Sequence, residues 1–242
     1  MKAVRLDRLL ANLGYGSRKE VTTLIRRGGV RIAGERVIDP SYSIVPALLS
    51  SQCSILCEGA PLDPLSPLTV MLHKPAGYTC SHEEVGPLIY DLLPSRWAHR
   101  NPKLSSAGRL DKDSTGQVIL TDDGDLLHRI IHPRQHLSKR YKVTLQNPLR
   151  GEESLLFVRG DLILKGEKTP LKPAQWVPDG PCSGVMVLEE GRYHQIRRMF
   201  GALGNHVTAL HRFQTGGLAL GDLPEGQYRI LEQKEKALLF QT

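Results

Sequence analysis
The sequence predicts an α+β protein in two parts. A small α/β domain occupies residues 1–62, and a larger domain with a largely antiparallel mixed sheet flanked by helices occupies residues 67–242. Three observations carry this expectation. The first forty residues read as two helices and a hairpin. A stretch rich in Pro, Ser and Leu follows from Ser41 to Leu68, with Pro61, Pro64 and Pro67 at its end. From Thr69 onward strands and helices mix without the regular β-α-β alternation of a doubly wound fold.

In the first part, Leu6, Leu9, Leu10 and Leu13 recur at helical spacing and Gly14 stops the run. Ser17 is placed to cap a second helix, with Glu20 three residues on completing a capping box. Val21, Leu24 and Ile25 form its apolar stripe, and Gly28-Gly29 ends it. Val30–Ile32 and Arg36–Ile38 then flank Ala33-Gly34-Glu35 as a hairpin. Proline disfavours helix at the residue before it, so the end of the 41–68 stretch reads as a linker. The region from Ile44 to Cys57 supplies one more strand to the small domain.

In the second part the expected strands are Thr69–His73, Gln117–Thr121, Arg140–Leu145, Ala174–Val177, Val185–Glu189 and His206–His211. The expected helices are Gly124–Ile131, Glu152–Val158 and His194–Leu203.

The chain of 242 residues is long enough to bury a sizeable core, and 40% hydrophobic with 24% charged residues is ordinary for a soluble protein. No run approaches the roughly 20 apolar residues that span a bilayer. Charges interrupt the first residues where a signal peptide would be apolar, which predicts a cytosolic protein. Of four cysteines, Cys53 and Cys57 lie four apart while Cys80 and Cys182 are isolated. With no CxxC pair, ordinary reduced thiols are expected rather than a zinc or redox site. His128, His132, His136 and His194 make no recognised ligand spacing, and no glycine-rich nucleotide loop occurs, so no metal or other cofactor is implied.

The net charge is +7. Residues 1–40 carry nine cations against four acids, concentrating the excess there: Lys2, Arg5, Arg8, Arg18, Lys19, Arg26, Arg27, Arg31 and Arg36. A basic balance favours polyanions through counterion release and steering. Arg18, Lys19, Arg26 and Arg27 lie off the apolar stripe, as a basic face would.

Two further segments carry chemistry. Ala107-Gly108-Arg109-Leu110-Asp111-Lys112-Asp113-Ser114-Thr115-Gly116 sets an acid beside a cation in a glycine-ended turn just before the apolar run Val118-Ile119-Leu120. Such a loop at a strand's mouth can hold a reacting carboxylate, and a solvated turn has the same pattern. Glu190-Gly191-Arg192-Tyr193-His194-Gln195-Ile196-Arg197-Arg198-Met199-Phe200 leads from a glycine turn into a helix with Ile196, Met199, Phe200 and Leu203 on its buried face.

Both segments resemble blocks of the RsuA-type pseudouridine synthases. Lys74–Tyr78, Thr121–Gly124, His128–Pro133, Lys139–Val143, Gly204–Val207 and Leu210–Arg212 match the same family in the same order. The N-terminal pattern from Arg5 to Val37 resembles the S4 RNA-binding module. The resemblance spans essentially the full chain. It implies that a uracil N1–C1′ bond is broken, the base turns, and C5 is joined to the ribose.

On this resemblance Asp111 is the essential aspartate, Arg197 the basic residue paired with it (Arg198 if the register shifts by one), and Tyr141 the tyrosine at the target base. Arg109 fills the gap left by a flipped nucleotide, and Lys74, His194 and Arg198 join the RNA contacts. Arg5, Arg18, Lys19, Arg26, Arg27 and Arg31 contact RNA from the S4 module. Gln117 stands where the family usually has leucine, and His73 where asparagine is common.

The implied partner is ribosomal RNA or a subunit assembly intermediate, met by a monomer with no membrane association. The small subunit's 16S RNA is favoured by the Glu190–Phe200 and Gly204–Arg212 blocks. The alternatives are a synthase for large-subunit 23S RNA and a non-catalytic rRNA-binding assembly factor. A glycosidase with Asp113 as its second carboxylate is a more distant reading.

Overall fold
The computed structural model describes residues 3–45 and 54–241. Lys2 and Cys53 lie outside the described residues, as does the part of the expected linker and strand region at 46–53. The chain forms two compact units, each taken by itself. The first comprises residues up to Leu68 together with Leu93–Ser105 and Thr121–Asp123; the second comprises Thr69–Leu92, Ser106–Leu120 and Gly124 onward. The two returning segments are a departure from the expected single break between residues 62 and 67.

The first unit opens with β1 (Val4–Arg5), α1 (Leu6–Asn12) and α2 (Arg18–Arg26). Strands β2 (Val30–Ile32), β3 (Glu35–Val37), β4 (Ser43–Ile44), β5 (Ile55–Cys57) and β6 (Ala60–Pro61) follow. The capping box is present: Ser17 Oγ accepts from the Glu20 backbone N–H, and the Ser17 N–H donates to the Glu20 carboxylate at 2.7 Å. Leu6, Leu10, Val21, Ile25 and Val30 are fully buried in one core.

The hairpin is tighter than expected. Val30 pairs with Val37 and Ile32 with Glu35, leaving a two-residue turn, Ala33-Gly34, with φ of 50° and 86°. Positive φ at both positions is the backbone twist that joins two strands most tightly. Gly28 takes φ 83°, which strains any residue with a side chain, and the Arg36 guanidinium lies over its open side. The region from Ile44 to Cys57 contributes two strands, not one: β4 pairs with β1 and β5 with β2. Pro61 sits at the sheet's edge in β6, where its missing N–H is tolerated.

Below this core, Arg100 and Asp122 form an ion pair at 3.0 Å with both side chains wholly shielded from solvent. Asp122 also accepts from the Leu68 N–H and the Ser66 hydroxyl, and Arg100 donates to Pro64 O. The proline-rich segment expected as a linker is thereby fastened along 64–68.

The second unit is built on a nine-stranded sheet. Its strands are β7 (Thr69–Lys74), β8 (Ser105–Ser106), β9 (Thr115–Thr121), β10 (Lys139–Leu145), β11 (Gln175–Gly180), β12 (Ser183–Leu188), β13 (Val207–Thr215), β14 (Leu218–Ala219) and β15 (Tyr228–Ile230). The order is β11-β12-β10-β13-β9-β7-β15, with β14 on β13 and β8 on β9. The β13–β9 pair is parallel, while β10 runs antiparallel to both β12 and β13. The sheet is mixed and largely antiparallel, as expected.

The helices are α3 (Gly124–Ile131), α4 (Glu153–Arg159), α5 (Gln195–Ala202) and α6 (Gln233–Leu238). One apolar cluster gathers Met71, Ile119, Leu126, Ile130, Leu231 and Leu239. Aromatic residues are only 5% of the chain, and three of them meet at one point. Phe157 of α4 and Trp176 of β11 both pack edge-on against Phe200 of α5, at 5.2 and 5.0 Å between centroids. Contacts of this geometry add about 0.5–1.5 kcal/mol each beyond burial, and here they fix α5 against the sheet.

Gln117, the departure from leucine, is wholly buried and donates from its amide to Leu218 O at 2.9 Å. A leucine would fill the space without making that link to β14. His73, the other departure, bonds Leu223 O through Nδ1 at 2.7 Å and meets the His211 ring edge-on. Burial, followed by the neighbouring His73, pushes the His211 imidazole below its usual range.

Candidate active site
Three adjacent strands bring the site together. The Asp111 loop runs directly into β9; β9 pairs with β13, where Gly116 lies opposite Arg212; β13 pairs with β10, where Arg212 lies opposite Tyr141. Gly116 is essential to this approach. Its φ is 110°, and a Cβ there would lie 2.1 Å from Arg212 O, so any side chain would force β9 off β13.

The loop itself is held from beneath. Lys74 is wholly buried at the end of β7, and its ammonium donates to Ser114 O at 2.7 Å, Pro75 O at 3.0 Å and Lys112 O at 3.1 Å. Burial lowers its pKa, while Asp111 and Asp113 act the other way. The expectation that Lys74 contacts RNA is therefore corrected. All three N–H directions of the ammonium are committed to loop carbonyls, and no solvent reaches it.

Above the loop is a cleft of about 460 Å³, within the roughly 300–1,000 Å³ usual for ligand sites. Arg109, Asp111, Tyr141 and His194 line it, as do Lys139 and Arg212. Asp111 is one-quarter exposed. Its carboxylate lies 3.5 Å from Arg197 Nε and 3.5 Å from His194 Nε2. Arg197 reaches further, donating to Val207 O at 2.8 Å and pairing with Asp113 at 2.8 Å. One guanidinium thus spans both acids of the loop and the start of β13.

Arg198 turns elsewhere. It pairs with Glu167 at 2.9 Å and donates to Lys165 O at 2.7 Å and Tyr193 O at 3.1 Å. Successive helix positions diverge by about 100°, so of the two arginines only Arg197 reaches Asp111. Arg198, expected at the RNA, is found fastening the Glu167 loop instead of lining the cleft.

The approach to α5 is similarly latched. Gln195 is buried, accepting from the Arg192 N–H and donating to Glu190, both within 2.9 Å. Helix α5 begins at Gln195, one residue later than expected, because His194 has φ 47°. Arg192 donates to Thr169 O and Pro170 O.

Sequence reasoning did not single out Lys139, Arg192, Tyr193 or Arg212 as site residues. Arg212 is buried and donates to Gln117 O at 2.7 Å. Lys139 bonds Leu137 O at 3.0 Å, and burial, then Arg212 and Lys172, push its ammonium down to about 8.

The cations expected to touch RNA in the first unit are exposed, with differing partners. Arg5 pairs with Asp7, Arg27 with Glu58, and Arg31 donates to Gly34 O. Arg18, Lys19 and Arg26 make no ion pair among the described residues. No group of histidine, cysteine or carboxylate side chains suited to hold a metal ion occurs among the described residues.

A cleft over an acid-bearing loop on a mixed sheet in one unit, and a basic helical unit in the same chain, are features of an enzyme that acts on nucleic acid. Comparison with known proteins makes this specific: residues 69–202 match the RNA pseudouridylate synthase family and residues 4–46 the S4 domain. The chain belongs to the RNA pseudouridylate synthase family.

It is 40% identical over 238 residues to the ribosomal small subunit pseudouridine synthase A of Pasteurella multocida, covering 97% of this chain and 98% of that protein. The protein of that name from Haemophilus influenzae is 41% identical, with 96% and 97% covered. A crystal structure of a pseudouridylate synthase superposes with a TM-score of 0.68 at 40% identity, covering 98% of this chain and 99% of that one.

Proposed function
We propose that this protein converts one uridine of small-subunit ribosomal RNA to pseudouridine in the cytoplasm, with Asp111 as the reacting carboxylate. The observation that carries the reading is the placement of Asp111 in the cleft, flanked by Arg197 and His194, with Tyr141 on the neighbouring strands. The full-length likeness to small-subunit enzymes supports the choice of RNA.

The Arg197 guanidinium, 3.5 Å away, sets a positive charge against the Asp111 carboxylate in the cleft. The reaction is an isomerisation. The N1–C1′ bond breaks, C5 bonds to C1′, C5 loses its proton and N1 acquires one. No electrons are gained or lost overall, so the side chains need only stabilise charge and move a proton. Tyr141, which lines the cleft, stacks on the base and relays that proton in this reading.

A uridine within folded RNA must first leave its stack, at a cost of a few kcal/mol. Arg109, exposed at the cleft beside Gly108, takes the vacated position. The S4 unit holds the RNA by phosphates and shape, led by Arg18, Lys19 and Arg26. Arg5, Arg27 and Arg31 contribute less because each already has a protein partner.

The test is pseudouridine mapping of ribosomal RNA from cells lacking the protein, complemented with wild type or Asp111→Asn. One small-subunit uridine should lose its modification and regain it only with wild type. Loss at a large-subunit uridine would overturn the choice of RNA. Loss at none, with RNA binding intact, would make the protein a binding factor.

A further inference from the structure
We infer that Tyr193, stacked on His194, is a platform for the nucleobase adjoining the target uridine. The inference rests on the proposed reaction and adds to it a second base subsite. The Tyr193 and His194 rings lie 3.9 Å apart and 15° from parallel. Both residues line the cleft, and Tyr193 is 70% exposed. Its hydroxyl makes no hydrogen bond among the described residues, so no polar contact of the side chain accounts for the ring's position.

The pair is held in place by the backbone. His194 adopts φ 47°, a conformation that non-glycine residues seldom take and that persists only where the surroundings impose it. Those surroundings are the Gln195 latch on Arg192 and Glu190, and the bond from Arg198 to Tyr193 O. The inner ring of the stack sets its Nε2 3.5 Å from Asp111. The Tyr193 ring stacked on it is the more exposed of the two.

Aromatic faces of this kind bind unstacked bases whatever their sequence. Flipping one uridine exposes the face of its neighbour, and Tyr193 offers that face a replacement partner. The exposed cation Arg109, which lines the same cleft, suits a polyanion, which favours RNA over an apolar protein segment. Tyr193 is in this sense a positioning residue: it fixes the strand so that the uridine meets Asp111.

The experiment uses full-length protein and a 16S rRNA transcript, reading affinity by filter binding and turnover by pseudouridine formation. Tyr193→Ala should raise Kd and KM about 5- to 150-fold, the range for losing one base stack, with kcat falling far less. Tyr193→Phe should restore both to within about twofold, since it keeps the stacking face. A transcript abasic at the nucleotide flanking the modified uridine should bind wild type more weakly but Tyr193→Ala no more weakly still.

The inference is overturned by unchanged affinity in Tyr193→Ala, by a loss that Tyr193→Phe does not restore, or by additive effects of variant and abasic site. A wild type that modifies no uridine would instead defeat the proposed reaction. Affinity for the transcript and its Tyr193 dependence would still decide the platform, using abasic sites scanned along the protected segment.

Discussion

The cations of the two units are used in opposite ways. On α2, Arg18, Lys19 and Arg26 project into solvent with no ion-pair partner among the described residues. Lys19 and Arg26 are seven positions, about two turns, apart and so share one side of the helix. Around the cleft, Lys74, Arg192, Arg197, Arg198 and Arg212 are each bonded to backbone carbonyls. A free cation attracts phosphate at long range and adapts to it. A tied cation has a fixed position before RNA arrives, which is what an active site requires. The basic charge of the sequence therefore conceals two functions, attachment and preorganisation, and substitutions should separate them.

The largest effect on stability is expected at Lys74. Lys74→Met keeps the bulk of the side chain but leaves three loop carbonyls, that of Ser114 buried, without their donor. Each such loss costs about 1–3 kcal/mol when the group stays dry. A loss of about 3 kcal/mol or more in urea unfolding is expected, along with most pseudouridine formation. RNA affinity of the remaining folded protein should change little. A variant as stable as wild type but weak in RNA binding would reverse the assignment and return Lys74 to the interface.

Arg198→Gln should come next. It removes the ion pair to Glu167 and the bonds to Lys165 O and Tyr193 O. The expected cost is about 1–3 kcal/mol, with KM raised as in Tyr193→Ala because the stacked pair loses its backbone tie. If KM were unchanged while stability fell, the Glu167 loop would be structural only.

On the attachment side, Arg18→Gln, Lys19→Gln and Arg26→Gln should leave stability within about 0.5 kcal/mol, as exposed changes usually do. Each should lower the slope of log affinity against log salt by about 0.7–0.9, one phosphate contact at a time. A cation whose replacement leaves the slope unchanged faces away from the RNA.

Much of this division was legible in the sequence, and what was not has a common cause. Ser17 and Glu20 specify the start of α2 through bonds three residues apart, and α3 occupies Gly124–Ile131, the span read from its period. Strand β15 and helix α6 went unread because three and six residues carry too little periodicity to stand out. At the site, the Asp111 loop was marked by its own neighbours.

Lys74 was not, since two of its carbonyl partners lie 38 and 40 positions away and only the fold brings them near. Arg212 gained its position through pairing with β9 and β10, which nothing local to Leu210–Phe213 announces. Local signals marked the longer elements and the loop that carries Asp111 into the cleft; the positions of the surrounding cations are set by long-range pairing.

Lys139 is the cleft cation held most lightly among those tied to a carbonyl, and it yields the smallest expected effect. It lines the cleft, yet the only hydrogen bond of its ammonium among the described residues is to Leu137 O. With the ammonium at about 8, the group is charged at neutral pH and loses its proton as pH rises toward 9. RNA phosphate would favour the charged form, so binding between pH 8 and 9 should be accompanied by proton uptake, and affinity should fall a few-fold from pH 7 to 9, about one phosphate contact.

The sign in folding is independent of RNA. An unfolded lysine titrates near 10.5, so between about 8 and 10.5 the unfolded chain holds more protons and stability rises with pH; below 8 both states are charged and the curve is flat on this account. Lys139→Gln should abolish both the fall in affinity and the rise in stability. An affinity that falls with the same pH profile in wild type and Lys139→Gln would assign the titration to another group and class Lys139 with the tied cations.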